Sequence, residues 1–131
     1  MVWPSGEIYD GHWHQGFRQG RGRNIYANGD VYEGHFFNDL KHGYGMYTYY
    51  DGSVYEGHFL NGIPDGKDKE HWIDGDSYEG YYKHGMKHGE GKLTWADGSE
   101  YRGQWFENKK HGYGVFKYAN GEVYRGDFES D

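Results

Sequence analysis

The sequence predicts an all-β protein, an elongated single-layer twisted antiparallel meander of tandem β-hairpins. Three observations carry that prediction: a tyrosine every 23 residues, glycine columns locked to it, and a composition rich in rings but poor in aliphatic side chains. The tyrosines are Tyr9, Tyr32, Tyr55, Tyr78, Tyr101 and Tyr124, and their spacing does not drift. With each leading tyrosine as position zero, glycines recur at plus two (Gly11, Gly34, Gly57, Gly80, Gly103, Gly126) and at plus eleven (Gly20, Gly43, Gly66, Gly89, Gly112). A column at plus thirteen (Gly22, Gly45, Gly91, Gly114) is broken by Asp68, and another closes each unit at plus twenty (Gly29, Gly52, Gly75, Gly98, Gly121). Rings fill plus four (Trp13, Phe36, Phe59, Tyr82, Trp105, Phe128) and plus seventeen (Tyr26, Tyr49, Trp72, Trp95, Tyr118).

The first strand of each unit follows from positions zero, plus two and plus four, because alternate residues of a strand share a face. The second strand follows in the same way from plus thirteen and plus seventeen. The turn between them falls on Gln15-Gly16, Asn38-Asp39, Asn61-Gly62, His84-Gly85 and Glu107-Asn108, where the second residue is always one that tolerates positive φ. The turn between units, exemplified by Ala27-Asn28-Gly29 and Tyr50-Asp51-Gly52, suits a three-residue type I turn with a bulge glycine. Those lengths pair zero with plus thirteen, plus four with plus nine, and plus fifteen with the next tyrosine. All ring columns then share one face, each leading tyrosine lies across from a glycine, and Trp13 meets Arg18, Phe36 meets Lys41, Tyr82 meets Lys87 and Trp105 meets Lys110 as cation–π or stem-packing pairs.

Composition bounds the function. Hydrophobic residues make up 34% of the 131 and aromatics alone 21%, so Tyr, Trp and Phe carry most of the apolar area. With no cysteine there is no disulfide, thiolate metal site or cysteine nucleophile. A net charge of −7 disfavours nucleic acid, whose binding draws on phosphate neutralisation. No stretch resembles a signal peptide or approaches a membrane span, so a cytoplasmic location is expected. No segment combines a nucleophile, a base and an orienting acid, so catalytic residues and cofactors are expected to be none and the chain is not expected to be an enzyme.

The pattern YEGHF…NDLKHGYGMYTYYDGSVYEG resembles the MORN family (membrane occupation and recognition nexus), from Trp3 to the last residue. On that resemblance the chain is one array: a partial unit over 1–8, repeats over 9–31, 32–54, 55–77, 78–100 and 101–123, and a partial unit over 124–131. Partial units at both ends suggest a piece of a longer array. The resemblance implies a non-catalytic scaffold for protein–protein interaction and self-association, with homo-oligomers forming through the array ends, linking membrane and cytoskeleton. It implies two alternatives: a regulatory head of a larger enzyme, of phosphoinositide kinase or lysine methyltransferase type, or a module that binds anionic phospholipid.

Three sets of residues compete as sites. The zero and plus-four rings read as core, because a single-layer sheet must bury something, which leaves Tyr47, Tyr49, Leu93, Trp95, Phe116 and Tyr118 as the partner groove, interrupted at Asn24 and Glu70. The same register sets His35 opposite His42 and His58 opposite Asp65, a weak metal constellation that reads better as a polar ladder, since structural zinc wants four ligands. Arg18, Lys41, Lys87 and Lys110 form a basic row that reads either as a lipid-headgroup contact or as a solvated face. The segment from Pro64 to His71 departs most from the repeat, and a local bend or the weakest unit is expected there.

Overall fold

The computed structural model describes residues 1–129, so the last two residues of the expected partial unit 124–131 lie outside it. Eleven strands alternate long and short: β1 (Ile8–His14), β2 (Phe17–Ile25), β3 (Val31–Phe37), β4 (Leu40–Thr48), β5 (Val54–Leu60), β6 (Ile63–His71), β7 (Ser77–Lys83), β8 (Met86–Thr94), β9 (Glu100–Phe106), β10 (Lys109–Lys117) and β11 (Val123–Phe128). They form one open antiparallel sheet in which each strand neighbours only the strands before and after it in sequence. At roughly 4.8 Å per strand the sheet runs about 50 Å across its strands.

Both turn types form as the residues dictate. Asn38 and Asp39 take φ of 48° and 73°, and Asn61 and Gly62 take 49° and 88°, the paired positive values of a type I′ turn. In the turns between units the closing glycine sits at positive φ, and its N–H bonds back to the plus-seventeen carbonyl, as Gly29 does to Tyr26 at 3.0 Å.

The register inside each unit differs from the expected one. Trp13 faces Arg18 as expected, but Tyr9 pairs with Asn24 and Gly11 with Gly22, so zero lies opposite plus fifteen and not plus thirteen. The same shift recurs in the hairpins β3–β4, β5–β6, β7–β8 and β9–β10. Its cause is the plus-eleven glycine: Gly20, Gly43, Gly66, Gly89 and Gly112 all have positive φ and make a bulge that takes up two extra residues of the longer strand. Because two residues are absorbed, every side chain keeps its face. The single face of rings survives the register that was wrong.

The bulge also explains the two glycines nearest each tyrosine. Gly11 and Gly22 become direct partners, and the Tyr9 ring folds along its own strand over both, so a methyl group built on Gly22 would lie 2.2 Å from the Tyr9 hydroxyl oxygen. That hydroxyl donates to the His12 carbonyl at 2.8 Å, and Tyr32, Tyr55, Tyr78 and Tyr101 repeat the bond three residues ahead. The five tyrosines are the most buried large side chains in the protein. Between them the plus-four rings insert edge-on, Tyr9 against Phe36 at 5.3 Å, Tyr32 against Phe59 at 5.2 Å and Tyr78 against Trp105 at 5.7 Å, so one T-shaped stack runs the length of the sheet. Each such pair contributes roughly 0.5–1.5 kcal/mol beyond the area it buries.

Neighbouring units are also tied at both margins. The turn residue at plus twenty-one accepts the backbone N–H of the next unit's turn: Asp30 from Tyr50 at 2.7 Å, Ser53 from Ile73 at 3.0 Å and Asp76 from Ala96 at 2.8 Å. At the other margin Asp39 N–H donates to the Arg18 carbonyl, and Asn108 N–H to the Lys87 carbonyl, both at 3.1 Å.

Unit three keeps the strand lengths of the other units. Strand β6 runs unbroken from Ile63 to His71, with Gly57 opposite Asp68 where other units pair two glycines. The backbone tolerates the worn repeat, and the departure is stored in side chains instead.

Candidate partner-binding face

The face that carries the tyrosine stack is covered by no second layer among the described residues. Beside the stack, toward the turns between units, the plus-fifteen and plus-seventeen columns are half-covered. Tyr47, Leu93, Trp95 and Phe116 pack against the core, while Tyr49 and Tyr118 remain 41% and 47% exposed. They touch in series: Tyr26 with Tyr47 at 5.7 Å and Tyr47 with Tyr49 at 4.8 Å at one place, then Trp95 with Phe116 at 5.3 Å and Phe116 with Tyr118 at 4.7 Å at another. The Tyr47 hydroxyl donates to Asp30 at 2.7 Å. Burial pushes the Asp30 carboxyl up, but that bond, the Tyr50 N–H and the Asn28 amide together bring it below its ordinary value. A hollow of about 200 Å³ opens here, lined by Lys41, Tyr47, Tyr49, Tyr55, Phe59 and Pro64.

The row Arg18, Lys41, Lys87 and Lys110 lies on the same face, with its charged heads over rings. Opposite partners in the ladder are not always the rings the cations sit on, because the heads reach along the array. Arg18 stands 5.9 Å from the Tyr9 centroid and 5.3 Å from Phe36, and not over Trp13. Lys41 stands over Tyr26, Tyr32, Tyr47 and Phe59 at 5.4–6.0 Å, and not over Phe36. Lys87 meets Tyr82 as expected, with Trp72, Tyr78 and Trp105 besides. Lys110 lies over Trp95 and Tyr101, and not over Trp105. Each cation thus sits in a cage made by the plus-seventeen ring of the unit before, the tyrosine of its own unit and, for the first three, the plus-four ring of the unit after. Burial lowers the Lys41 and Lys87 ammonium pKa values, the latter against the raising pull of Glu70 and Asp68.

The two interruptions of the plus-fifteen row behave differently. Asn24 is fully buried and satisfied, accepting from Arg18 at 3.0 Å and donating to Glu7 at 2.9 Å. Glu70 accepts the Tyr82 hydroxyl at 2.7 Å, and burial raises its carboxyl pKa. Two residues along, Asp68 is 3% exposed with neither carboxylate oxygen hydrogen-bonded. Burial, then the neighbouring Glu70 charge, lift its pKa to about 8, against the lowering pull of the nearby Tyr55 hydroxyl and Lys87 ammonium. Only the loss of glycine at plus thirteen hinted at this in the sequence.

The histidine pairings do not form. The plus-eleven bulge removes the position that would set His35 against His42, and His35 instead pairs with Arg21 of the preceding strand. His42 lies against the Phe37 ring and accepts the Asn61 N–H at 3.4 Å. His58 Nδ1 is 3.3 Å from the Lys67 carbonyl oxygen, while Asp65 accepts the His84 N–H at 3.3 Å. Among the described residues no group of three or more His, Asp or Glu is placed to hold a metal ion.

One solved structure agrees with this geometry at the level of fold. The TCP domain of SAS-4 (dCPAP) from Drosophila melanogaster, solved in complex with a proline-rich motif of Ana2 (dSTIL), superposes with a TM-score of 0.54 at 16% identity, covering 99% of this chain and 77% of that one. The wild-type TCP10 domain of Danio rerio CPAP, solved with a peptide of Danio rerio STIL, gives 0.40 at 17% identity, covering 93% and 60%. A search of curated proteins returned no match. The MORN repeat model matches residues 9–31, 32–54, 55–77, 78–100 and 101–123. With the tyrosine and the bulge now accounted for in each of those units, and the paired glycines in all but the third, the chain belongs to the MORN-repeat family.

Proposed function

We propose that this array is a non-catalytic protein-interaction scaffold whose partner lies along Tyr47, Tyr49, Leu93, Trp95, Phe116 and Tyr118. One observation carries the reading: Tyr47, Leu93, Trp95 and Phe116 pack against the buried stack and stay half-covered, with Tyr49 and Tyr118 exposed against Tyr47 and Phe116, on a face with no covering layer among the described residues. A pre-set row of rings costs little ordering on binding and suits an extended segment or an amphipathic helix. The likeness to the SAS-4 domain extends to fold alone, so the partner is argued from this chain's own surface. Self-association through the outer edge of β11, the last strand of the described sheet, belongs to the same proposal and is read by light scattering across concentrations. A cytoplasmic location, with membrane or cytoskeletal attachment, is the setting such a scaffold would serve.

A peptide array probed with the full chain tests the groove. The double change Trp95→Ala and Phe116→Ala is expected to weaken retained peptides at least about tenfold, as truncation of aromatic anchors does. Equal retention by the variant, or no retained peptide, would sink the proposal. The phospholipid alternative is tested by flotation with phosphatidylserine-rich vesicles. Because the four cations of the basic row face rings, no co-flotation is expected at physiological salt, and binding that persists there would replace the scaffold with a lipid-binding module.

A further inference from the structure

Comparing the units with one another exposes a vacancy of charge. Units one, two, four and five each carry their own cation at plus nine, caged by rings of three successive units in the first three cases and of two in the last. Unit three has Pro64 there. Its cage is otherwise built: Tyr49 stands at plus seventeen of the unit before, Tyr55 at zero, and Tyr82 at plus four of the unit after, with Tyr55 and Tyr82 centroids 5.7 Å apart. The unit that lacks the cation is also the one that gains two acids on this face. Glu70 occupies the plus-fifteen position from which, in unit one, Asn24 hydrogen-bonds the Arg18 guanidinium. Asp68 lies two residues before it, buried and without a hydrogen bond. Among the described residues neither carboxylate takes part in a salt bridge. A hollow lined by Lys41, Tyr47, Tyr49, Tyr55, Phe59 and Pro64 opens on the ring side of this cage, and the two acids lie beyond its lining.

We infer that unit three is a receptor for one cationic side chain, a lysine or arginine of a partner protein, which enters where the other units carry their own. The inference rests on the scaffold reading and deepens it, naming a basic residue as the anchor of the partner. Rings and buried carboxylates together are the chemistry that holds an alkylammonium or guanidinium group. The protein's net charge of −7 favours a basic partner. An unpartnered buried carboxylate is costly to keep, and a ligand that pairs with it accounts for its presence.

The test is an NMR titration of the full chain with n-butylammonium and n-butylguanidinium chloride, using n-butanol as the uncharged control. Saturable shifts are expected at the amides of Tyr55, Asp68 and Glu70 with the two cations and not with the alcohol. Pro64→Lys, which supplies the missing cation in cis, is expected to abolish them and to raise the melting temperature. Asp68→Asn with Glu70→Gln is expected to weaken binding at least about tenfold, and it serves if Pro64→Lys does not fold. Absence of saturable shifts in the native chain, or identical shifts in both variants, overturns the inference. Concentration-dependent self-association that Pro64→Lys abolishes overturns the assignment to a partner and gives the site to a second copy. Peptides retained on the array when their lysines and arginines are replaced by norleucine would leave the scaffold standing without this site. Cation binding with no retained peptide would do the reverse.

Discussion

Gly80→Ala is expected to cost about 3 kcal/mol, the upper range for forcing extra volume into a packed site, and to lower the melting temperature by roughly 10 °C. The added methyl would lie 2.5 Å from the Gly91 Cα, 2.6 Å from the Tyr78 hydroxyl oxygen and 2.7 Å from the Glu90 carbonyl oxygen. Two of those three atoms are backbone of the adjacent strand and cannot rotate away. Relief requires either spreading β7 from β8 or lifting the Tyr78 ring, which would break its bond to the Tyr81 carbonyl and its contact with Trp105. His12→Ala, on the solvent face, is the control and should stay within about 0.5 kcal/mol. Thermal unfolding followed by circular dichroism decides it, and a loss below about 1 kcal/mol would mean that the close approach of the two strands is not what selects glycine.

Asp68→Gly is expected to move stability the other way. It restores the repeat's own residue opposite Gly57 and removes a buried carboxylate with no hydrogen bond, for a gain of about 2 kcal/mol near pH 8. The pH dependence gives the expectation its signature. The folded chain holds the Asp68 proton up to about pH 8, whereas the ordinary value is 3.8. A raised carboxyl pKa contributes nothing unfavourable below the lower value, where both states are protonated. The cost then grows as pH rises from about 4 to about 8 and is flat beyond. The advantage of Asp68→Gly over the native chain should open across that window, and an advantage independent of pH would show that the carboxylate is not its source. The same change should abolish butylammonium binding, so stability and recognition would trade at one residue.

Much of the fold was legible because it is written in repeated chemistry. Paired positive-φ residues such as Asn38-Asp39 announced the hairpin turns, and period-two spacing put the rings on one face. The register was not legible, although the glycines that set it were in view. Gly20 and Gly43 have the same composition signal as a glycine kept small for packing, and only the backbone shows that they bulge. Face assignment survived because the bulge takes up an even number of residues. That the plus-fifteen and plus-seventeen rings share the face of the stack was legible for the same reason, whereas the cation cages were not. Lys41 reaches Phe59, a residue of the next unit, and pairing within one hairpin cannot anticipate a contact made between hairpins. The buried acids stood out only as departures, since Lys67, Asp68, Lys69 and Glu70 read alike until the strand turns two of them inward.

The order of strands, each bonded only to its neighbours in sequence, gives the array a mechanical character. Its backbone hydrogen bonds point along the line joining the two ends. Tension applied between those ends therefore loads the bonds of one strand pair in succession and does not shear many at once. Each unit that opens is replaced by extended chain, lengthening the molecule by roughly 70 Å for about 10 Å of folded sheet lost. Stretching should proceed in equal steps at low force, so the array would yield as a compliant tether between whatever its two ends hold, and would re-form one hairpin at a time when the load is released.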